Sequence, residues 1–143
     1  MMKKILTILL IFLFANGISN AAERLTYKRL INAMAEVESG HNPNVVSKNK
    51  QYVGYLQISK ICVREANNIV GYQKYNYDDR FDKDKSIEIF LLIQKRHNPT
   101  NNINLAMRLW SQGLEAKKYK FQETNYTKKV MKLYYTTYSY IEE

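Results

Sequence analysis

The sequence predicts a mainly α fold: a compact helical domain with a small irregular or β segment after its first helix. Apolar residues recur at helical spacing in several windows, whereas sustained alternation of apolar and polar residues is scarce. Residues that cap helices precede most of these windows, and a glycine or a proline follows most of them. A chain of 143 residues is also the usual size of one domain.

The first residues are typical of a secretory signal. Two lysines precede an apolar run, residues 5–14, and a segment of small and polar residues follows it. We therefore expect a signal peptide over 1–22, cleavage near 19–21, a domain over 23–143, and export to the periplasm or the extracellular space. Because the apolar run is too short to cross a bilayer comfortably, an uncleaved membrane anchor is the second choice.

Composition and charge restrict the chemistry. The formal net charge is +9, and removing the two lysines of the signal peptide leaves +7, which suits a polyanionic partner. Cys62 is the only cysteine, so an internal disulfide is excluded and a small core residue is the simplest interpretation. The spacing of His41 and His97 recommends neither as a partner for a thiol nor as a metal ligand. We predict no cofactor and no metal.

The first helix is predicted over residues 27–38, with Thr26 as its N-cap. Ser39 and Gly40 end it, because glycine tolerates the left-handed conformation of a helix terminus. Glu38 therefore lies in the last turn, where unpaired carbonyl groups should raise the pKa of its carboxyl group. A carboxyl group that stays protonated near neutral pH can act as a general acid. The core-facing positions are Leu30, Ile31, Met34 and Val37.

A polar loop and a short extended segment follow this helix. Residues 41–52 contain a proline, asparagines and lysines and are predicted to form an exposed, turn-rich loop. Residues 52–58 should include a short extended piece. Within it, Gly54 would let the backbone approach a ligand, and Gln57 offers both a hydrogen-bond donor and an acceptor.

The second helix is predicted over residues 60–69, between a capping Ser59 and a terminating Gly71. The segment after it, 72–84, carries four acidic residues among tyrosines and lysines. Alternating acidic positions are typical of a calcium loop, but the required glycine and terminal glutamate are missing at the needed spacing. We therefore predict no metal site there. The four residues are Asp78, Asp79, Asp82 and Asp84.

The third helix is predicted over residues 87–97, beginning from Asp84 or Ser86 and closed by Pro99. It is apolar nearly all round. Such a helix is expected to be central and buried.

Two more helices complete the prediction. Asn101 or Asn102 should cap the fourth helix, which carries Trp110 on its apolar side and ends at Gly113. The final segment has one stripe of residues at helical spacing. The stripe consists of Tyr126, Val130, Leu133, Thr137 and Ile141.

Three motif regions in this order resemble one enzyme family. In the first region, the pattern E-S-G, then N-P, then G-x-x-Q-I looks like the catalytic core of the soluble lytic transglycosylases, lysozyme-like enzymes that cleave peptidoglycan. The segment NLAMRLWSQG is similar to the family's stretch of an aromatic residue, Asn and a later glycine, and FQETNYTKKVMKLYYTTY resembles its closing stretch. The similarity covers residues 25–135. The matching residues are Glu38, Ser39, Gly40, Asn42, Pro43, Gly54, Gln57, Ile58, Trp110, Gly113, Glu123, Thr124, Tyr126, Lys129, Val130 and Tyr134.

The resemblance implies an α+β lysozyme-like fold and cleavage of the β-1,4 bond between N-acetylmuramic acid and N-acetylglucosamine, with a 1,6-anhydromuramic product. It implies that Glu38 is the general acid and then the general base, and that Tyr126 orients Glu38 or stabilises developing charge. The implied substrate-binding residues are Ser39, Gln57, Trp110 and Tyr126, with Gln57 facing a sugar acetamido group. Peptidoglycan glycan strands are the expected partner, together with a secretion or conjugation apparatus. We expect no nucleic acid and a monomer.

Two departures from the family pattern leave alternatives open. Ser111 replaces the usual asparagine after the aromatic residue, and lysines near Lys117 replace an acidic residue. A muramidase that uses water is the first alternative, with one of the four acidic residues of 72–84 as a second carboxylate. A secreted glycan-binding module without turnover is the second. A purely structural helical protein would leave the joint order of the three motif regions unexplained.

Overall fold

The computed structural model of the chain describes residues 27–118, 120 and 122–139. This part is mostly helical, as the sequence predicts, and contains one small antiparallel sheet. Among the residues described, no helix combines the length and the apolar character needed to cross a membrane. Three expectations fall outside the description: the signal peptide, the Thr26 cap, and the end of the last stripe, where Ile141 and the side chain of Thr137 are not described.

Five α-helices and two short 3₁₀ helices make up most of the described chain. The α-helices are α1 (27–39), α2 (Lys60–Val70), α3 (Lys83–His97), α4 (Ile103–Gln112) and α5 (Asn125–Ser139). The 3₁₀ helices are Asp78–Phe81 and Leu114–Lys117. Strands β1 (Tyr52–Val53) and β2 (Ile58–Ser59) pair antiparallel, with Tyr52 opposite Ser59 and Val53 opposite Ile58. The extended piece predicted after the first helix is therefore a short hairpin.

Local capping signals set several helix ends where the sequence predicts them. Ser59 caps α2 by accepting a hydrogen bond from the Cys62 N–H at 3.3 Å, and Gly71 ends that helix in the left-handed conformation. Asn102 caps α4 by accepting one from the Leu105 N–H at 3.0 Å. These contacts involve residues three positions apart, so they could be predicted without the fold.

The start of α3 differs from the prediction. The helix begins at Lys83, and its N-cap is Asp82, which accepts a hydrogen bond from the Lys85 N–H at 3.0 Å. The prediction of Asp84 or Ser86 is wrong because the first turn is polar and exposed, so the apolar period begins later than the helix. The helix is also less buried than predicted. Its apolar core residues are Ile89, Phe90 and Ile93, whereas Leu91 is 37% exposed.

The core lies where α1, α3 and α4 meet under the hairpin. The Tyr27 ring packs edge-on against Phe90 with centroids 5.8 Å apart, and Phe90 packs in the same way against Trp110 at 5.1 Å. Burial of each large apolar side chain of this kind stabilises the fold by about 2–3 kcal/mol. Further fully buried residues are Leu30, Met34, Leu56, Ile58, Ile89, Met107 and Val130.

A buried polar cluster joins the start of α1 to the turn between α3 and α4. Asn98 donates to the Asn102 carbonyl at 2.9 Å and accepts from the Asn102 N–H at 3.0 Å. It also donates to the Gln94 side chain at 3.2 Å, and the Tyr27 hydroxyl donates to Asn101 at 3.1 Å. Because its members hydrogen-bond one another, the cluster fixes how these segments meet.

Arg80 holds the hairpin against the first 3₁₀ helix. Gly54 has a φ of +84°, and a Cβ atom at this position would collide with the Arg80 carbonyl. That carbonyl accepts a hydrogen bond from the buried Ser86 hydroxyl at 3.1 Å, and the Arg80 guanidinium donates to the Tyr77 carbonyl at 2.7 Å. The Arg80 carbonyl therefore requires a glycine at position 54, and the approach of a ligand to this backbone stays a prediction.

Candidate active site

Glu38 lies in the last turn of α1, as predicted, and the chain turns away directly after it. Gly40 and His41 both have left-handed backbone conformations, with φ of +58° and +62°. Their N–H groups donate to the carbonyls of Glu36 and Ala35 at 3.1 and 3.2 Å. These bonds satisfy carbonyl groups that the end of a helix leaves unpaired.

Ser39 and His41 tie this turn to Tyr55 of the hairpin. The Ser39 hydroxyl lies 2.8 Å from the Tyr55 carbonyl and 3.2 Å from the Ala35 carbonyl. The His41 ring lies 3.2 Å from the Tyr55 hydroxyl through Nδ1, and 3.2 Å from the Glu36 carboxylate through Nε2. Ser39 thus has a positioning role. The Ser39 oxygen can still accept a hydrogen bond from a ligand, and the contact of Ser39 with substrate stays a prediction.

The Tyr126 hydroxyl of α5 approaches the Glu38 carboxyl of α1. Glu38 is partly buried, and loss of solvent raises its pKa from 4.5 to about 7. The Tyr126 hydroxyl acts in the opposite direction and lowers this pKa, because a donor stabilises the carboxylate. The expected rise in pKa is therefore present, but its main cause is burial and not the carbonyl groups at the helix end.

Tyr126 stays a neutral phenol. Burial and the neighbouring Glu38 carboxyl raise its pKa far above 10. The hydroxyl is near enough to Glu38 to affect both pKa values, yet the contact lacks ordinary hydrogen-bond geometry, and no other described group bonds to this hydroxyl. A buried hydroxyl without a well-formed hydrogen bond is unfavourable. If the ionised Glu38 carboxylate turns toward Tyr126, the hydroxyl can donate to it, and this cost is removed.

Gln57 closes the turn of the hairpin in a left-handed conformation, with φ of +50°. Its side-chain amide donates to the Val45 carbonyl at 3.2 Å and to the Gly54 carbonyl at 3.0 Å. Both N–H groups of the amide are used in this way, so only Oε1 is left for a ligand. The predicted contact with an acetamido group is thereby limited to accepting its N–H.

Trp110 is anchored between the hairpin and the core. Its Nε1–H donates to the Leu56 carbonyl at 3.0 Å, and its ring packs against Phe90 with the two ring planes at 65°. The residue is only partly buried. Packing therefore accounts for one side of the ring, and the exposed remainder is the part that a glycan could contact.

The acidic residues after α2 do not perturb Glu38. Asp79 lies 2.6 Å from a lysine ammonium of α3, which lowers the pKa of Asp79, and Asp82 caps α3. Asp78 and Asp84 are exposed. No acidic group in the described part of the chain contributes to the pKa of Glu38. Within the same residues, no group of three potential ligands could hold a metal ion.

Cys62 and His97 have local partners on α2 and α3. Cys62 is partly buried against the core, with the Ser59 hydroxyl 3.4 Å from its Sγ. His97 lies 2.7 Å from the Glu65 carboxylate through Nε2. The core position predicted for Cys62 is confirmed in part, since it packs on the core but keeps some exposure.

The family model of the transglycosylase SLT domain matches residues 17–128, which include Glu38, the hairpin, Trp110 and Tyr126. The chain belongs to the transglycosylase SLT domain family. Its fold is therefore that of a lytic transglycosylase-like domain that acts on peptidoglycan, and the helices with one small sheet agree with this lysozyme-like architecture. No curated protein and no solved structure matches the chain.

Two further residues, to which the sequence motifs assign no role, support the candidate active site. Tyr55 holds both Ser39 and His41, and its place inside the G-x-x-Q motif is the signal that could have indicated it. Arg80 meets Gly54 only after the chain has folded back. No local pattern marks this contact, so the sequence alone could not show it.

Proposed function

We propose that this SLT domain is a lytic transglycosylase that cleaves the β-1,4 bond between N-acetylmuramic acid and N-acetylglucosamine and leaves a 1,6-anhydromuramic end. The observation that carries the proposal is the partly buried position of Glu38 beside the Tyr126 hydroxyl, and this burial raises the pKa of Glu38 to about 7. A carboxyl group that is half ionised at neutral pH can serve as an acid in one step and as a base in the next. Peptidoglycan as the substrate follows from the family.

The reaction needs one enzymatic carboxyl group. Protonated Glu38 gives its proton to the bridging oxygen while the bond from that oxygen to the muramic C1 breaks. The acetamido oxygen of the muramic residue attacks C1 and takes over the positive charge. The Glu38 carboxylate then removes the proton of the 6-hydroxyl, whose oxygen displaces the acetamido oxygen at C1. Glu38 is protonated again at the end, and no water is consumed.

Tyr126 supports the middle of this cycle. Glu38 is then a carboxylate in a partly buried position, where a charge without a partner is unfavourable. A neutral phenol beside it can donate to the carboxylate, and a hydrogen bond to a charged group is worth about 1.5–3 kcal/mol. Ser39, Gln57 and Trp110 keep the turn, the hairpin and the core in register around the two residues.

The structural partners of two of the four candidate acids favour this scheme over a muramidase with a second carboxylate. A retaining or inverting glycosidase normally uses two carboxyl groups on either side of the bond. Asp79 and Asp82 already have structural partners, and no acidic residue among those described affects Glu38. Assistance by the substrate's own acetamido group removes the need for the second carboxylate.

Mass spectrometry of digested peptidoglycan tests the proposal. Purified peptidoglycan is incubated with the protein and, in parallel, with the Glu38→Gln variant. We expect muropeptides one water lighter than ordinary reducing-end products, formed by the natural protein and not by the variant. Reducing-end products would instead establish a muramidase. Co-sedimentation with the wall without any released fragment would establish a binding module.

We also propose that the protein acts after export, in the periplasm or outside the cell. The sequence pattern of the first 22 residues and the location of peptidoglycan support this. Cell fractionation followed by mass measurement of the protein tests it, because a cleaved leader shortens the chain near residues 19–21. A secretion or conjugation apparatus remains a predicted partner.

A further inference from the structure

An open pocket of about 650 Å³ lies at the C-terminal end of α2, away from Glu38. The hairpin that supports Glu38 leads into the opposite end of this helix. An α-helix of 11 residues is about 16 Å long. Neither Glu38 nor Tyr126 lines the pocket, so it is distinct from the candidate active site.

The floor of the pocket is rigid. Asn67 donates to the Tyr75 carbonyl at 2.8 Å, and its side-chain oxygen accepts from the N–H groups of Lys74 and Tyr75 at 3.0 and 2.9 Å. Tyr75 is buried, and its hydroxyl donates to the Glu88 carboxylate at 2.9 Å. The chain after α2 is thus fastened to the helix, so the pocket is formed before any ligand arrives.

The side chains at the rim of the pocket make no hydrogen bonds or ion pairs with the described part of the fold. Arg64, Asn68, Tyr72 and Gln73 line the pocket and are exposed, and no side chain of the four has a hydrogen bond or ion pair with the described residues. Tyr72 is 63% exposed. Arg64 and Asn68 are four positions apart on one face of α2, which presents them together. An aromatic ring, a guanidinium and two amides on a rigid floor suit the recognition of a ligand.

A second pocket of about 550 Å³ shares Asn68 with the first and continues between α2 and α3. Lys95 and Arg96 line it, and neither has an ion-pair partner among the residues that the structure describes. The acidic lining residue, Glu65, is already paired with His97 at 2.7 Å. The charge left for a ligand along the two pockets is therefore positive.

We infer that these two neighbouring pockets, here the α2 surface, form a second, non-catalytic binding site for an acidic amino-sugar glycan. The Tyr72 ring can pack against the apolar face of a sugar ring, while the Asn68 and Gln73 amides bind hydroxyl or acetamido groups. The Arg64 fork matches a carboxylate, which muramic acid and its peptides carry. Lys95 and Arg96 extend this attraction along the strand. The choice of peptidoglycan as the glycan rests on the proposed function.

A site of this kind would change how the enzyme meets an insoluble polymer. Binding at two places on one chain raises the effective concentration of the strand near Glu38. The α2 surface should therefore matter for intact wall, which can span both sites, and not for a fragment too short to reach from one to the other.

Binding measurements with matched controls test the inference. All variants carry Glu38→Gln so that the wall is not digested, and co-sedimentation with purified insoluble peptidoglycan gives the affinity. We expect Tyr72→Ala and Arg64→Gln each to weaken binding about tenfold. Tyr135→Ala removes a tyrosine that is 60% exposed, and Lys28→Gln removes one charge elsewhere, so both should stay within about twofold of the parent.

Equal losses for Arg64→Gln and Lys28→Gln would overturn the inference, because net charge alone would then explain binding. Release of the protein by DNA, with affinity for DNA that depends on Arg64 and Tyr72, would overturn it in favour of a nucleic-acid site. Thermal unfolding of Tyr72→Ala and Arg64→Gln should match that of their parent, because neither of these two side chains has a hydrogen bond or ion pair with the described residues. A shared drop in stability would assign both residues to the fold.

Kinetics separates this inference from the proposed function. With Glu38 intact, Tyr72→Ala should slow the digestion of insoluble wall but leave kcat on short soluble glycan fragments unchanged. If no form of the protein cleaves peptidoglycan while binding still depends on Tyr72 and Arg64, the proposed function fails and the α2 surface stands. If the wall is cleaved but both variants bind like their controls, the α2 surface fails alone.

Discussion

The Tyr126 hydroxyl lies against the Glu38 carboxyl, and each group changes the pKa of the other. Burial raises the pKa of Glu38 to about 7, and Tyr126 holds it below the value that burial alone would give. At Tyr126, burial and the carboxyl act in the same direction, so the phenol keeps its proton. Glu38 is therefore the group of the pair that gains or loses a proton near neutral pH, while Tyr126 stays protonated.

Glu38→Gln should remove a pH dependence of stability along with activity. Since the folded pKa of Glu38 is raised from 4.5 to about 7, its protonated form favours folding. That contribution is fully present below pH 4.5 and is lost as the pH rises through 7, by at most about 3 kcal/mol. Urea unfolding from pH 4 to pH 8 should show a decline that Glu38→Gln lacks.

Glu115→Gln is the control for this experiment, because Glu115 is a solvent-exposed carboxyl group that pairs, among the described residues, with a surface lysine. It should follow the natural protein at every pH. If Glu38→Gln declines with pH as the natural protein does, Glu38 is not the buried group that the structure indicates. Turnover by Glu38→Gln should fall by about 10²–10⁴-fold, the usual contribution of a general acid.

Tyr126→Phe should fold normally and act more slowly. Loss of a donor to a carboxylate costs about 1.5–3 kcal/mol, which corresponds to a rate about 10–100-fold lower. The pKa of Glu38 should also rise, because Tyr126 lowers it in the natural protein. The fall of kcat/KM on the alkaline side should therefore move to higher pH.

The measurement is the pH profile of kcat/KM on soluble glycan fragments. Tyr134→Phe is the control, since it removes a hydroxyl from another buried tyrosine of the same helix. An unchanged rate and an unchanged profile for Tyr126→Phe would give Tyr126 a packing role only.

Gly54→Ala should destabilise the protein more than Gly71→Ala. Both glycines have a φ of +84°, so the backbone penalty for alanine, about 1–2 kcal/mol, is shared. A Cβ at Gly54 meets the Arg80 carbonyl, whereas nothing lies within 4 Å of one at Gly71. We expect an additional loss of about 1–3 kcal/mol for Gly54→Ala by urea unfolding. Equal losses would mean that the Arg80 carbonyl moves aside without cost.

Ser39→Ala should cost more stability than Ser111→Ala. Each hydroxyl lies near the carbonyl four residues earlier in its own helix, Ala35 at 3.2 Å and Met107 at 2.9 Å. Only Ser39 also reaches across to the hairpin, at the Tyr55 carbonyl. We expect a difference of about 1 kcal/mol in the free energy of unfolding, the usual net value of a hydrogen bond.

A lower kcat for Ser39→Ala should accompany that loss, because the turn carrying Glu38 would be less firmly held. If the two serine variants unfold alike and Ser39→Ala keeps full activity, the contact with the hairpin does not position Glu38.

The sequence predicts what depends on neighbours along the chain. Ser59, Gly71 and Asn102 mark helix ends through contacts within four residues, and the structure confirms them. The start of α3 was missed because its first turn is polar, so periodicity gives no sign of it. The presence and approximate length of a helix can therefore be predicted from the sequence. Its first residue depends on which of several polar residues caps the helix.

The candidate site was predictable only in part. Periodicity places Glu38 at the end of a helix, but it does not predict that Tyr126 lies beside Glu38. Only the family resemblance indicates a role for Tyr126. The cause of the raised pKa was also hidden, since burial is a property of the whole fold. The contact of Gly54 with Arg80 shows the same limit, because it joins segments that are distant in sequence.

Glu38 and Tyr126 come from the first and last helices of the described chain, so their contact is among the longest-range contacts of the fold. Contacts between distant segments carry a large loop-closure entropy and tend to form late in folding. A partly folded chain would keep Glu38 in water, ionised at neutral pH and unable to donate a proton. Titration of this one carboxyl group would thus report when Glu38 becomes buried, and catalytic competence should appear only at the final stage of folding.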